Sequence, residues 1–324
     1  MGRIKVPEDR PFNSLALVAE ELNRLLNKEV HFINEPVGNN VLNYCLKLEP
    51  GEIVLLENTR YCDFPEKLES NNDLELAKYW SKLGNIFVVD AFGSLHRAHA
   101  SVAGISNYLP TYFGFLVKEE MTNLKPLIEN VERPFTVFMG GAKVDDKLNY
   151  IKGLLNKCDY LLIGGGIANS FLYACGYDVQ DSLCTTDEMT LSEIRSLIKE
   201  YKNKIIMPID FVIDDNKILD LNQKSINKYK KYLEMSKTIF INGTCGKFEE
   251  EAYSKGTIDL FESLSNVQAY KVAGGGDTLK AINQFNLQDN FSYLSSGGGA
   301  AIEYISNNTL EAIEYINVRE NNRQ

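Results

Sequence analysis

Short apolar runs alternate along the chain with segments in which apolar residues recur every three or four positions. The runs predict buried strands, and they are VHFI, IVLLE, IFVVDAF, FTVFM, YLLIG, KIIMPIDF, TIFING, AYKVAG and SYLSS. The segment LELAKYWSKL has helical spacing, and so does a segment near the start that Ser14 is placed to cap. The apolar positions of that early helix are Leu15, Val18, Ala19, Leu22, Leu25 and Leu26. This alternation predicts an α/β protein in which helices cover both faces of parallel sheets.

The segment VKEEMTNLKPLIENVERP separates the two sets of predicted strands. Met121, Leu124, Leu127 and Ile128 recur in it at helical spacing, and Pro126 should weaken or kink that helix. We therefore expect two doubly wound parallel-sheet domains joined by a helix, and the length of 324 residues also favours two domains. The predicted boundaries are 1–114 for the first domain, 115–133 for the connecting helix, 134–308 for the second domain and 309–324 for a C-terminal tail.

Four predicted strands of the second domain end in glycines that precede a helical pattern. These glycines are Gly140–Gly141, Gly164–Gly166, Gly274–Gly276 and Gly297–Gly299. A helix that starts behind such a turn offers free N–H groups and a positive dipole end to an anion. Ligands of open parallel sheets bind at the carboxyl ends of the strands. One such turn alone is better explained as a tight strand–helix connection, but four of them favour a phosphorylated ligand.

Composition and charge narrow the class of protein. The chain is 44% hydrophobic and 24% charged, as ordinary soluble proteins are, and its net charge of −10 argues against nucleic acid or an anionic membrane as a partner. Its six cysteines show no C-x-x-C or zinc spacing and suit a reducing compartment. The polar start is no signal peptide, and no apolar run approaches the roughly 20 residues of a membrane helix. We therefore expect a cytoplasmic protein that acts on small molecules.

Two common nucleotide-binding motifs are not matched. A P-loop needs G-x-x-x-x-G-K-[ST], and GTCGKF is too short. A dinucleotide fingerprint needs G-x-G-x-x-G, and GGGIANSF has Asn169 at the place of the last glycine, which leaves NAD binding unsupported. GGAKVDDK places Lys143 and Lys147 four residues apart, so we expect them to share a helix face behind a glycine turn. Two ammonium groups there suit phosphate oxygens, and a solvated pair of lysines is the alternative.

Several longer motifs together resemble the phosphoglycerate kinase family. LLENTRY, DAFGSLHRAHAS, GGAKVDDK, IGGGIANSF, NGTCGKFE, AGGGDTLKA and SSGGGAAIE come in the order and approximate spacing of that family. DAFG-x-x-HRAH-[AS] is a highly specific match, and the likeness covers essentially the whole chain. The resemblance implies a two-domain hinge enzyme of glycolysis. Such an enzyme moves a phosphoryl group between 1,3-bisphosphoglycerate and ADP, with Mg²⁺, to give 3-phosphoglycerate and ATP.

By this resemblance the second domain binds the nucleotide. Lys143 would contact the transferring phosphoryl group, together with N–H groups at Gly298 and Gly299, and Lys147 would contact the nucleotide phosphates. The other implied nucleotide contacts are Gly165, Asn242, Gly275, Gly276 and Thr278.

Two acidic residues complete the nucleotide site that the resemblance implies. Asp277 would hold Mg²⁺, and a helix N-cap is the alternative for an aspartate that follows glycine. Glu249 would bind the ribose, and the alternative is a solvated acidic face that it shares with Glu250 and Glu251.

The first domain would bind the glycerate. Arg60 in LLENTRY and Arg97 in HRAH match basic residues of the family, and arginine suits carboxylate and phosphate because its guanidinium is a two-pronged donor. Gly2 and Arg3 resemble the end of the family's H-x-G-R-P motif. Since the sequence begins inside that motif, the resemblance implies a first domain without the family's preceding segment, and with it slow turnover by this chain alone.

Two other functions stay open at this point. One is a non-catalytic nucleotide-binding relative kept for an interaction role. The other is a NAD-linked dehydrogenase, which the motifs favour less. For the kinase we expect small-molecule substrates only, no nucleic acid or membrane partner, and a monomer when the first domain is complete.

Overall fold

Helices and parallel strands alternate through the protein, as the apolar pattern predicts. The structure, a computed structural model, describes residues 2–321, so Met1 and residues 322–324, at the outer ends of the predicted first domain and tail, lie outside it. The strands of the described part are β1 (Val30–Ile33), β2 (Ile53–Leu56), β3 (Phe87–Val89), β4 (Thr111–Phe113), β5 (Phe135–Met139), β6 (Tyr160–Ile163), β7 (Ile205–Ile206), β8 (Phe211–Asp214), β9 (Lys217–Leu221), β10 (Thr238–Asn242), β11 (Tyr270–Gly274) and β12 (Tyr293–Ser295). The α/β class with parallel sheets is confirmed.

Twelve α-helices connect these strands within residues 2–321. They are α1 (Ala16–Leu26), α2 (Asn39–Cys45), α3 (Leu74–Trp80), α4 (Phe115–Leu124), α5 (Leu148–Leu155), α6 (Gly165–Ala174), α7 (Glu188–Glu200), α8 (Gln223–Met235), α9 (Lys255–Glu262), α10 (Gly276–Gln284), α11 (Gly299–Asn307) and α12 (Glu311–Asn321). None of the described helices is long and apolar enough to cross a membrane.

The described residues fall into two compact units. One is made from the described parts of Met1–Val117 and Leu310–Gln324, and the other is Lys118–Thr309. The last helix, α12, therefore belongs with the first unit, where the N–H of Ala312 donates to the carbonyl of Leu95 at 3.0 Å. The unit boundary falls within α4, which ends at Leu124, and a 3₁₀ turn containing Pro126 follows it. The proline thus ends the regular helix, as expected from its missing N–H and the steric clash of its ring.

In the first unit the strands form two parallel pairs, β1 with β2 and β3 with β4. Part of its core packs around Trp80, whose indole N–H donates to the carbonyl of Pro36 at 2.8 Å. The predicted first helix is present, but its N-cap residue is Leu15 and not Ser14. The Ser14 hydroxyl still accepts from the N–H of Ala16, the first residue of the helix, at 3.2 Å, and it donates to the Glu57 carboxylate at 2.6 Å. Of the predicted apolar positions on this helix, only Ala19 is buried.

The second unit is built on one six-stranded parallel sheet in the order β12-β11-β10-β5-β6-β7. The central strands β5 and β10 are buried along their whole length, which explains why both read as continuous apolar runs. Helices pack on this sheet, and in one of its cores the Tyr229 hydroxyl donates to the carbonyl of Ile163 at 2.6 Å. The carboxyl ends of six strands thereby meet along one edge.

An antiparallel hairpin of β8 and β9 was not predicted. The run KIIMPIDF, predicted as one strand, is divided between β7 and β8 with Pro208 between them. Asp215 and Asn216 form the two-residue turn of the hairpin with φ of 45° and 56°. Two positive φ values in succession are typical of a type I′ turn, for which Asp and Asn are suited.

Candidate functional site

The four predicted glycine turns lie along one edge of the six-stranded sheet. They follow β5, β6, β11 and β12, all of which end at that edge. Behind three of the turns a helix starts at once, with α6 beginning at Gly165, α10 at Gly276 and α11 at Gly299. Three helix N-termini with their positive dipole ends therefore lie at the same edge. At α6 the chain already accepts from the first turn, since the N–H of Gly165 donates to the carbonyl of Cys245 at 3.0 Å and that of Ile167 to the carbonyl of Gly141 at 3.2 Å.

The fourth turn differs from the prediction, because Lys143 and Lys147 do not share a helix face. The helix α5 begins only at Leu148, so Lys147 is its N-cap residue and Lys143 lies in the preceding turn. Asp145, between the two lysines, accepts a hydrogen bond from the Thr185 hydroxyl at 2.9 Å. This contact with a distant segment, together with Gly141 at φ +117°, holds residues 141–147 in an extended turn. Lys143 is exposed, whereas Lys147 is half-buried.

Lys147 is held by the ends of two neighbouring strands. Its ammonium donates to the carbonyl of Gly140 and to Oδ1 of Asn242, each at 2.9 Å. Burial lowers the pKa of Lys147, and the negative charge of Asp277 opposes that shift. Asn242 in turn donates to the carbonyl of Gly274 at 2.6 Å, which links β5, β10 and β11 at the site edge. Three sequence-predicted residues, Lys147, Asn242 and Asp277, are thus brought together.

Some glycines of the edge are required by the packing of the chain itself. A Cβ at Gly140 would lie 2.2 Å from the carbonyl oxygen of Thr244, and one at Gly166 would lie 2.1 Å from that of Ala142. Gly275 and Gly298 have φ of +108° and +54°, values that residues other than glycine rarely adopt.

Gly276 and Gly299 are different, because nothing in the described part of the chain requires glycine at either position. A Cβ built on Gly276 or Gly299 meets no atom within 4 Å, and neither residue has a positive φ. Both are the first residues of helices, at the free N–H end. The open space in front of these two residues faces backbone N–H donors. It therefore suits an anion that approaches the backbone closely.

A buried carboxylate supports the turn that precedes α11. Glu120, on α4, accepts hydrogen bonds from the hydroxyls of Ser295 and Ser296 and from the N–H of Ser296, each at 2.7 Å. It is fully buried, so these three donors supply the hydrogen bonds that water would otherwise give. The sequence did not single out Glu120, because it lies about 175 residues from its partners and in a helix of ordinary composition.

A cavity of about 350 Å³ opens next to this edge, and we call it the glycine-edge cavity. Among the predicted site residues it is lined by Gly165, Glu249 and Asp277. Its apolar lining was not predicted and includes Leu183, Ile218, Leu219, Leu221 and Phe248. Three of these residues come from β9 of the unpredicted hairpin, so the sequence reasoning that missed the hairpin also missed this wall. A volume of this size with a mainly apolar wall and a few charged groups is typical of small-molecule sites.

The two acidic residues occupy the cavity wall as exposed side chains. Asp277 lies in the first turn of α10, whose N-cap is Gly275, so the alternative that Asp277 is a helix N-cap is wrong. Glu249 lies 3.8 Å from the ammonium of Lys280. Thr278, the next residue of α10, is buried, and its hydroxyl accepts from the N–H of Gly243 at 2.6 Å. Within residues 2–321, no cluster of three His, Cys, Asp or Glu side chains could hold a metal by protein ligands alone.

In the first unit the three predicted arginines, Arg3, Arg60 and Arg97, line one cavity of about 670 Å³, which we call the arginine cavity. Lys5 and Lys67 also line it, and no motif in the sequence pointed to these isolated lysines. The predicted Gly2 is not part of the lining. A Cβ at Gly2 would lie 2.4 Å from Oδ1 of Asn13, a side-chain atom that would have to move to make room for it.

Arg60 is fixed in this cavity by a carboxylate. Its Nη1 donates to Asp63 at 2.7 Å and also to the hydroxyl of Ser70. Burial alone would raise the pKa of Asp63, but hydrogen bonds from Ser70 and Arg60 outweigh it and lower that pKa. Among the described residues, Arg97 forms no ion pair with a carboxylate within 4 Å and is half-buried. The cavity therefore carries uncompensated positive charge suited to an anionic ligand.

The same cavity contains a histidine whose protonation should limit acid stability. Burial, with Arg60 and Arg97 nearby, lowers the pKa of His99 to about 4. An unfolded histidine titrates near 6.5, so as pH falls from about 6.5 to 4 the unfolded state takes up a proton that the folded state does not. The free energy of unfolding of the wild-type protein should therefore fall between pH 6.5 and 4.5. In His99→Gln, which has no imidazole to protonate, we expect this fall to be smaller by about 1–2 kcal/mol. Urea unfolding at the two pH values measures this, and equal losses in both proteins would show that His99 does not cause the acid sensitivity.

Comparison with known proteins identifies relatives across the whole chain. A family model described as phosphoglycerate kinase matches residues 1–308. The phosphoglycerate kinase of Mesomycoplasma hyopneumoniae is 41% identical over 332 residues, which cover 96% of this chain and 82% of the relative. That of Enterococcus faecalis is 39% identical and covers 98% of this chain and 85% of the relative. Among solved structures, phosphoglycerate kinase from Coxiella burnetii matches with a TM-score of 0.81 at 35% identity. The match covers 98% of this chain and 84% of the Coxiella chain.

Proposed function

The chain belongs to the phosphoglycerate kinase family, and from that premise we propose that its two cavities divide the substrates of the reaction between them. The reaction moves a phosphoryl group between 1,3-bisphosphoglycerate and ADP and gives 3-phosphoglycerate and ATP. The glycine-edge cavity takes the nucleotide, and the arginine cavity takes the glycerate. The alternative of a non-catalytic relative is not favoured, because the curated relatives are kinases by name.

One observation carries the proposal for the nucleotide. Gly276 and Gly299 begin two helices at the sheet edge, and neither packing nor backbone conformation requires glycine there. A phosphate that binds the free N–H groups of these helix ends would need the space that a Cβ fills. We assign Gly275, Gly276 and Thr278 to the nucleotide phosphates, and Gly298 and Gly299 to the phosphoryl group that is transferred.

The charged residues of the edge take roles that follow from their placement. Lys147 is half-buried, and its ammonium has a third N–H beyond the two that Gly140 and Asn242 accept, so it can donate to a nucleotide phosphate. Lys143 is exposed and able to reach the transferring group. Glu249, together with Gly165 on the same wall, would contact the nucleoside, with the carboxylate accepting from ribose hydroxyls.

Asp277 fits a Mg²⁺ ion that arrives with the nucleotide. Mg²⁺ is usually bound through one or two carboxylates together with substrate phosphates, and Asp277 is a single exposed carboxylate on the cavity wall. When bound, the ion would neutralise charge on the phosphate oxygens. Asn242 stays a positioning residue, because both ends of its amide are used within the chain.

Phosphoryl transfer at this site needs charge stabilisation more than proton chemistry. Charge spreads over the oxygens of the transferring group, and fixed donors that face it stabilise the transition state. The N–H groups at Gly298 and Gly299 and the ammonium of Lys143 are such donors. Glu120 holds the two serines before these glycines, so it keeps the donors in place without touching a substrate.

The three arginines would bind the glycerate. Each guanidinium can donate two parallel hydrogen bonds to a carboxylate or phosphate, and 3-phosphoglycerate carries one of each. Gly2 would contribute at most through its backbone.

We also propose a cytoplasmic location and a monomer. The free cysteines of the described chain fit the reducing compartment, and the net charge of −10 fits a protein without a nucleic-acid partner.

Replacement of Lys147 tests the nucleotide half of this proposal. We expect Lys147→Met to weaken Mg·ADP binding by about 1.5–3 kcal/mol, since it removes a charge-assisted hydrogen bond to phosphate. Calorimetric titration measures the change. Lys152→Met is a matched control, because Lys152 lies on α5 with its ammonium 3.4 Å from Glu193 on α7 and should bind no phosphate. Equal affinities for Mg·ADP in the Lys147→Met and Lys152→Met proteins would exclude Lys147 from the site.

A further inference from the structure

The glycine-edge cavity contains a buried hydrogen-bond acceptor that the chain does not use. Asn169, on α6, is 2% exposed and lines this cavity. Its Nδ2 donates to the carbonyl of Leu183 at 3.2 Å, which sets the orientation of the amide. Its Oδ1 is buried and has no hydrogen-bond partner within residues 2–321. Buried acceptors without a partner are uncommon in folded proteins, and one in a cavity wall points to a donor on a ligand.

The contact with Leu183 joins Asn169 to one of the apolar residues of the cavity wall. Leu183, Leu219 and Phe248 line the same cavity as the charged Asp277 and Glu249. A nucleotide combines the same two kinds of group, a flat apolar base and charged phosphates. Apolar walls with a few fixed polar groups are suited to a base, and the polar groups then set its identity. Asn169 is the polar group that contacts Leu183 in this wall.

We propose that Oδ1 of Asn169 accepts a hydrogen bond from the exocyclic 6-amino group of adenine, so that Asn169 determines base specificity. This inference rests on the proposed nucleotide site. An unpartnered acceptor is satisfied only by a donor, and in an adenine nucleotide the 6-amino group carries the N–H donors of the base. A base without that group leaves Oδ1 buried and unpaired, which costs binding free energy.

The 6-amino group can be removed from the ligand without changing the protein. In calorimetric titrations with Mg²⁺, we expect the wild-type chain to bind ADP roughly 10-fold more tightly than purine riboside 5′-diphosphate, which lacks the amino group. In Asn169→Leu, which is close in size, the two nucleotides should bind within about twofold of each other, because ADP loses its partner and the analogue loses nothing. Asn169→Ala should give the same loss of preference if the leucine variant does not fold.

Ser170→Ala is the matched control. Ser170 is the next residue of α6, is 1% exposed, and accepts from the N–H of Thr185 at 3.1 Å, so it holds the same segment as Asn169 does. This variant should keep the wild-type preference for ADP. Equal wild-type affinities, or a preference that survives in Asn169→Leu and Asn169→Ala, would overturn the role of Asn169 while leaving the nucleotide site standing. If the wild-type chain binds neither nucleotide, the proposed site and this inference fail together.

Discussion

Gly299→Val should lower phosphoryl transfer by about 100-fold while changing the free energy of unfolding by no more than about 0.5 kcal/mol. The structure gives the reason for both parts. A Cβ at Gly299 meets no atom within 4 Å, so there is room for a side chain to begin there without a clash at its first carbon. The same room is where the transferring phosphoryl group would lie, and a displacement of that group by about 1 Å is enough for a rate loss of this size.

A glycine of the same edge with an internal packing role provides the contrast. Gly166→Ala puts a Cβ 2.1 Å from the carbonyl oxygen of Ala142, so we expect it to lose both stability and activity. Turnover in a coupled assay and unfolding in urea, measured on both variants, separate the two kinds of glycine. If Gly299→Val retains full turnover, the space in front of α11 does not hold the phosphoryl group.

Arg60→Met should lower the free energy of unfolding by about 3 kcal/mol and should also weaken glycerate binding. The side chain of Asp63 is 7% exposed, and removal of its 2.7 Å partner leaves a buried carboxylate with only the Ser70 hydrogen bonds. Loss of one partner from a buried ion pair is costly because the remaining charge stays desolvated. Urea unfolding and a titration with 3-phosphoglycerate measure the two effects separately.

Arg97→Met is the comparison that isolates binding. Arg97 lines the same cavity, but no carboxylate in the described chain pairs with it within 4 Å, so its loss should leave stability nearly unchanged. Its effect on 3-phosphoglycerate affinity should match that of Arg60→Met, at about 1.5–3 kcal/mol. Equal destabilisation by the two substitutions would show that the Arg60–Asp63 pair does not account for the difference.

The sequence predicted the sheet edge well because its signals are local. Four of the strands end in glycines, and in a parallel sheet the carboxyl ends must meet at one edge. It failed for Lys143 and Lys147, since their spacing fits a helix that in fact begins at Leu148. The contact between Asp145 and Thr185 that shapes this turn joins residues 40 positions apart, and spacing alone cannot reveal such a pair.

The cavity walls were the least predictable part. The β8–β9 hairpin supplies Leu219 to the glycine-edge cavity, and the signal of this hairpin in the sequence is only the pair Asp215-Asn216 between two short apolar stretches. In the sequence, Asn169 stands out only as the residue that breaks a dinucleotide motif. Its unpaired oxygen depends on what surrounds α6 in three dimensions, which no pattern along the chain contains. Residues predicted from charge and motif, such as Arg60 and Arg97, needed the fold only to show that they share one cavity.

The most direct measurement is the electron density of Mg·ADP and 3-phosphoglycerate in crystals of this chain. We predict ADP phosphate oxygens about 3 Å from the backbone nitrogen of Gly276, with the base against Leu219. The phosphate or carboxylate of 3-phosphoglycerate should contact the guanidinium groups of Arg60 and Arg97. ADP phosphates away from the glycine-led helix ends, or 3-phosphoglycerate outside the arginine cavity, would contradict the proposed division of substrates.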